Sequence, residues 1–135
     1  MKSEIKVTFP GGKKVDAEIK GLLVHTDQAV EDGGEGTAPA PFDYFLVSLA
    51  TCSGIVALAY CRRKGISTEG LAVSMEAPWD DTRNRCDQVT FHVTLPKDFP
   101  EDQVESIRLR VEACAVKKHI LQPPEFRTVI QPFKA

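Results

Sequence analysis

From Tyr44 to Tyr60 the chain runs for 17 residues without a charged side chain, YFLVSLATCSGIVALAY. A helix that is apolar on every face has to be covered on every face. Its ends are marked. Pro41 suits a first helical turn, where its missing N–H is not needed, and Asp43 puts a negative charge where the helix dipole favours one. Arg62, Arg63, Lys64 and Gly65 are the cations and the glycine expected at a C-terminus. These signals predict one helix over Phe42 to Lys64, a rod of roughly 35 Å. Spanning a bilayer takes about 20 apolar residues. This run is shorter and carries Ser48, Thr51, Ser53 and Gly54, so a buried helix of a soluble protein is expected, with no membrane partner. The 135 residues suit one domain, 1–135. One domain of that size cannot wrap such a rod, so a second copy is expected to cover part of it, giving a homodimer.

The flanking segments have period two. Ile5, Val7 and Phe9 alternate with polar residues, Pro10, Gly11 and Gly12 make a turn, and Val15, Ala17 and Ile19 alternate again. This predicts a hairpin with one buried face, with a third strand over Leu22 to His25. Asp27 to Pro41 has no period and reads as a long, flexible loop. Beyond the helix, Leu71, Val73, Met75, Ala77 and Trp79 alternate, as do Val89, Phe91, Val93 and Leu95, on either side of a polar turn. A second helix is predicted from Pro100 through Val104, Ile107, Val111 and Cys114, and a last strand over Phe126 to Ile130. The order β-β-β-α-β-β-α-β implies an α+β fold with antiparallel sheet around a central helix.

Several function classes are excluded. A net charge of −2 gives no electrostatic footprint for nucleic acid. No CxxC pair or HExxH run occurs, and His25, His92 and His119 fall in separate elements, so neither a metal nor a cofactor is expected. Gly33, Gly34 and Gly36 match no phosphate loop, and Glu31, Asp32 and Glu35 would repel phosphate. Met1 to Gly12 lacks the apolar run of a secretory signal, so a cytoplasmic protein is expected.

Thiols remain. Cys86 belongs to a polar turn. Cys61 lies about 13 Å along the helix from Cys52, too far for a disulfide, which needs Cα atoms within about 7 Å. It reads as core packing. Cys52 sits mid-helix beside Ser53 and Gly54, which leave room for a close neighbour. Cys114 is followed by Lys117 and Lys118, on the thiol's side if the helix continues, and nearby cations stabilise a thiolate. On spacing alone, the stronger reading of each cysteine is a small buried hydrophobe.

A resemblance adds to this. The run from Ala38 through Pro41, Asp43, Ser48, Leu49 and Ala50 to Cys52 resembles the first cysteine helix of OsmC/Ohr proteins, where a proline and an acid open an apolar helix ending in S-L-A-x-C. Ala113-Cys114-Ala115-Val116-Lys117-Lys118-His119 resembles the family's second cysteine segment. The resemblance implies an OsmC-like fold and an intertwined homodimer with active sites at the subunit interface. It implies Cys52 as the nucleophile that attacks an organic hydroperoxide and Cys114 as the resolving thiol, with an external dithiol as reductant. Three positions depart from the pattern. No arginine precedes Arg62, Lys13 and Lys14 taking the hairpin turn instead; Phe42 stands where a glutamate is usual; Ala115 stands where a proline is usual. These departures motivate an alternative, a non-catalytic module binding a small apolar or thiol-reactive ligand at the dimer interface.

Overall fold

The computed structural model describes residues 2–133, in two compact units that divide in sequence between Ser48 and Leu49. The elements are β1 (Ile5–Gly11), β2 (Lys14–Ile19), β3 (Leu22–Thr26), α1 (Pro41–Lys64), β4 (Ala72–Glu76), β5 (Trp79–Asp80), β6 (Arg85–Cys86), β7 (Thr90–Thr94), α2 (Val104–Glu112) and α3 (Ala115–Leu121), with 3₁₀ turns at Val30–Asp32 and Glu101–Gln103. The fold is α+β with antiparallel sheets. Helix α1 begins in the first unit and ends in the second.

In the first unit β1, β2 and β3 form one antiparallel sheet. Ile5 faces Ile19 and Val7 faces Ala17. The register slips between Thr8 and Gly11, where Pro10 has no N–H for the ladder. Lys20 and Gly21, both at positive φ, make the two-residue turn between β2 and β3, which suits the strands' right-handed twist. The expected buried face of the first hairpin is not covered within the chain: Ile5, Val7 and Phe9 are all exposed.

The segment after β3 is ordered, not the flexible loop its composition predicts. Asp27, 1 % exposed, accepts the amide N–H groups of Gln28 (2.8 Å), Glu35 (3.3 Å) and Thr37 (3.1 Å) and the Thr37 hydroxyl (2.7 Å). Led by that hydroxyl, these donors hold its carboxyl down to about 2. Asp43 then accepts the Ala40 N–H at 2.8 Å, satisfying a donor at the start of α1, and Tyr44 donates to the His25 carbonyl at 2.6 Å.

In the second unit, α1 ends at Lys64, and Gly65 takes the left-handed conformation (φ +68°) of a helix C-cap. A core of Ala57, Tyr60 and Cys61 from α1 packs on Ile107 and Val111 from α2, with Leu71, Val93, Leu95 and Phe99 against it. Tyr60 Oη donates to Gln103 Oε1 at 2.9 Å, fixing α1 to the turn that opens α2. Strands β4 and β7 pair with Val73 opposite Val93 and Met75 opposite Phe91. Trp79 faces Cys86 across the short β5–β6 pair beyond them.

Two expectations fail in this unit. The second helix stops at Glu112, and Cys114, at φ −63° and ψ 152°, is an extended residue that opens a separate helix, α3. Phe126 to Ile130 form no strand, and Phe126 is 85 % and Ile130 87 % exposed. A strand's backbone groups need a neighbouring strand to pair with, and none among the described residues lies alongside.

Helix α1 is long and apolar enough, by length and composition alone, to cross a membrane, and 28 % of its most apolar 18 residues are buried. Phe42, Phe45, Val47 and Ile55 are exposed. The chain by itself covers a stripe of this helix and not its circumference.

Candidate functional site: two cysteines beside one groove

Cys52 is half-buried on α1, and Cys114, 1 % exposed, sits where α2 gives way to α3; both are free thiols. Along α1 the positions Cys52, Ile55, Val56, Ala59 and Arg63 recur at the three- and four-residue spacing of one helix face. Ile55, Val56, Ala59 and Arg63 line a groove of about 310 Å³, with Arg110 and Ala113 from the other helix. Cys52 lies one turn before the groove's α1 wall, and Cys114 follows directly on Ala113. Neither cysteine is among the groove's lining residues; Cys52 precedes that wall on α1, and Cys114 is the extended residue between α2 and α3.

The turn carrying Cys114 is held by its backbone. Its N–H donates to the Val111 carbonyl at 3.3 Å, and its own carbonyl accepts the Lys118 N–H at 3.0 Å. Because the helix is interrupted here, Lys117 and Lys118 do not follow Cys114 along one helical face. Lys117 turns back: its ammonium lies 3.7 Å from the centroid of the Phe91 ring and donates to the Val111 carbonyl at 3.4 Å. Lys118 is exposed.

The hairpin lysines are engaged with the first unit's own loop. Lys13 donates to the Asp32 carbonyl at 2.6 Å, and Lys14 pairs with Glu35 at 2.6 Å. That pairing raises the Lys14 pKa, the Glu35 hydrogen bond acting first.

The other thiols sit as the sequence suggests. Cys61 is fully buried, and burial pushes its thiol pKa up, as suits an inert core residue. Cys86 donates to the Gln88 carbonyl at 3.1 Å near the short β5–β6 pair. His92 points away from Phe91 and Val93 and lies 3.7 Å from Glu76. Sequence reasoning passed over two residues. Arg110 stands four places before Cys114, a spacing that could have singled it out. Ser53, beside Cys52, has a fully buried hydroxyl without a hydrogen-bond partner, which no pattern of residue types announces.

A second cavity, about 470 Å³, lies between β7 and α2, lined by Phe91, Val93, Leu95, Ile107, Val111 and Lys117 among others. Its size is that of a small-molecule pocket. The Arg108 guanidinium at its edge is neutralised by Glu105 and Glu112.

A long apolar helix on an antiparallel α+β scaffold, with one cysteine on that helix and a second at the junction of the two that follow, defines the architectural class. The chain belongs to the OsmC-like protein family, whose model matches residues 34–129. Among solved structures, it is similar to a putative osmotic stress induced and detoxification response protein from Psychrobacter arcticus (TM-score 0.73, 22 % identity, 84 % of this chain and 85 % of that one). It is also similar to an OsmC like protein from Mycoplasma pneumoniae (TM-score 0.70, 16 % identity, 91 % and 89 %). A third, from Legionella pneumophila, is described as an organic hydroperoxide resistance protein OsmC and predicted redox protein (TM-score 0.59, 20 % identity, 89 % of each chain). At these identities the likeness speaks for the fold. No curated protein matches the chain.

Proposed function

We propose that this chain is a thiol-dependent redox protein that reduces organic hydroperoxides, with Cys52 as nucleophile and Cys114 as resolving thiol. The observation that supports the reading is the family match over residues 34–129, which spans both cysteines, Cys52 half-buried on α1 and Cys114 almost fully buried where α2 gives way to α3. In the first step the Cys52 thiolate attacks one peroxide oxygen. The O–O bond breaks, Cys52 becomes a sulfenic acid, and the other oxygen leaves as an alcohol after taking up a proton. Cys114 then attacks the sulfenic sulfur, releasing water and forming the disulfide, a condensation typical of sulfenic acids with a neighbouring thiol. An external dithiol returns two electrons by thiol–disulfide exchange. The buried position of the resolving thiol limits competing attack by thiols from solvent.

The unit of function in this reading is a cytoplasmic homodimer of one-domain chains. The exposed apolar residues of β1, of the first turns of α1 (Phe42, Phe45 and Val47) and of the segment after α3 support the dimer, since a monomer rarely leaves so much apolar surface in water. A thiol-coupled assay with cumene hydroperoxide tests the chemistry. Cys52→Ser should abolish turnover, and Cys114→Ser should allow a single turnover. If Cys52→Ser consumes peroxide like the parent, the reading is wrong.

The 470 Å³ cavity between β7 and α2 favours a second reading, a module that holds a small apolar ligand without turnover. A ligand retained in native mass spectrometry, together with no peroxide turnover, would select it.

A further inference from the structure

We infer that Arg63 and Arg110 form a carboxylate-binding end to the groove beside Cys52, and that its ligand is a small organic anion with an apolar alkyl or aryl body. The chain has seven arginines. Arg83, Arg85, Arg108 and Arg127 each pair with an aspartate or glutamate. Among the described residues, Arg63 and Arg110 form no such pair, yet they reach the same groove from two different helices. The cations at the end of α1 suit its dipole, but Arg62 and Lys64 serve that purpose equally well. What sets Arg63 apart is its convergence with Arg110.

The remaining lining residues are Ile55, Val56, Ala59, Tyr60 and Ala113, with no acid among them. The Tyr60 hydroxyl is already committed to Gln103. The groove thus offers apolar wall along most of its length and two unneutralised guanidiniums, groups whose planar fork matches a carboxylate. Its volume, about 310 Å³, is at the small end of ligand pockets. Charge complementarity therefore points to a compact monoanion, not to a neutral hydrocarbon and not to a second acidic helix.

Arg63 lies about 16 Å along the helix from Cys52, farther than a compact anion reaches, so the binding does not rest on the thiol reading of Cys52.

The test uses the full-length protein, without peroxide, titrated calorimetrically with 4-phenylbutyrate and with its uncharged counterpart 4-phenylbutan-1-ol. The proposal expects the acid to bind more tightly than the alcohol, with an affinity that falls as salt is raised. Arg63→Gln and Arg110→Gln should each weaken acid binding by about fivefold, the weight of one partly exposed charge-assisted contact, and leave alcohol binding unchanged. Arg110→Lys should recover part of the loss. Both arginines are exposed, and the circular dichroism melt of each variant checks that it folds. Equal affinity for acid and alcohol would overturn the proposal, as would glutamine variants that bind the acid like the parent. So would variants that change only the oligomeric state, which would make the groove a subunit contact. Because binding is read with no turnover, its failure leaves the peroxide chemistry standing, and loss of peroxide turnover leaves the anion site standing.

Discussion

Lys117 and Cys114 share one acceptor: the Val111 carbonyl takes the Cys114 amide N–H at 3.3 Å and the Lys117 ammonium at 3.4 Å. The carbonyl lies in the last turn of α2, where orphan acceptors and the helix dipole both favour a cation, and the Phe91 ring supports the ammonium from its face. One lysine therefore ties β7, the end of α2 and the turn bearing the second thiol. Lys117→Met keeps the apolar stem and removes these ties. It should slow the resolving step several-fold, so that a dimedone-trappable sulfenic acid accumulates at Cys52 while the first-turnover consumption of peroxide persists. Unchanged disulfide formation in stopped-flow thiol titration would reduce Lys117 to a packing residue.

Asp27 makes the first unit acid-sensitive. Its carboxyl is held at about 2, with the Thr37 hydroxyl as the largest cause, against roughly 3.9 in an unfolded chain. A depressed pKa contributes stability that is complete above the unfolded value and is lost as pH falls through the folded one. Asp27→Asn should melt several degrees below the parent at pH 5 to 7, with the difference shrinking between about pH 4 and 2. A difference independent of pH would show that charge at this position is immaterial.

Gly34 is fixed by a close approach. A Cβ there would stand 2.1 Å from the Gln28 carbonyl oxygen, backbone that cannot step aside without breaking the Asp27 cradle. Gly34→Ala should lower the melting temperature and open residues 27–37 to limited proteolysis. A variant as protease-resistant as the parent would contradict this account of the loop.

The Ser53 hydroxyl is the opposite case, a buried polar group with no partner. Leaving such a group unpaired costs free energy that alanine, of nearly the same shape, does not incur. Ser53→Ala should therefore stabilise the protein by about 1 kcal/mol in urea unfolding. A loss of stability would mean that the hydroxyl finds a partner in the assembled protein.

The long helix was legible because its ends carry local chemistry. Pro41 and Asp43 opened it and Lys64 with Gly65 closed it; the structure starts it one residue before the predicted Phe42, at Pro41, and ends it at Lys64 as predicted. The hairpins were legible because period two survives in Ile5, Val7 and Phe9 and in Val73 and Met75. The break at Cys114 was not. Glu112, Ala113 and Ala115 are ordinary helix formers, and a tertiary preference, the burial of Cys114, overrides them. Asp27 was hidden for another reason: its partners are backbone amides up to ten residues on, which leave no trace in residue type. The last strand, expected over Phe126 to Ile130, did not form, because a strand exists only beside a partner. Cys52 and Cys114 are neighbours in sequence of the groove's lining and not part of it, and Lys117, expected on the side of Cys114, turns to the Phe91 ring and the Val111 carbonyl because the chain bends at the end of α2.

The central claim is that Cys52 and Cys114 exchange electrons with a peroxide as one pair. Peptide mapping by mass spectrometry, after one equivalent of cumene hydroperoxide is added to the reduced protein, tests it most directly. The account predicts one intrachain Cys52–Cys114 disulfide, with Cys61 and Cys86 still free and an intact mass lower by about two hydrogens. Recovery of Cys52 and Cys114 as free thiols, or of Cys86 as the oxidised residue, would contradict it.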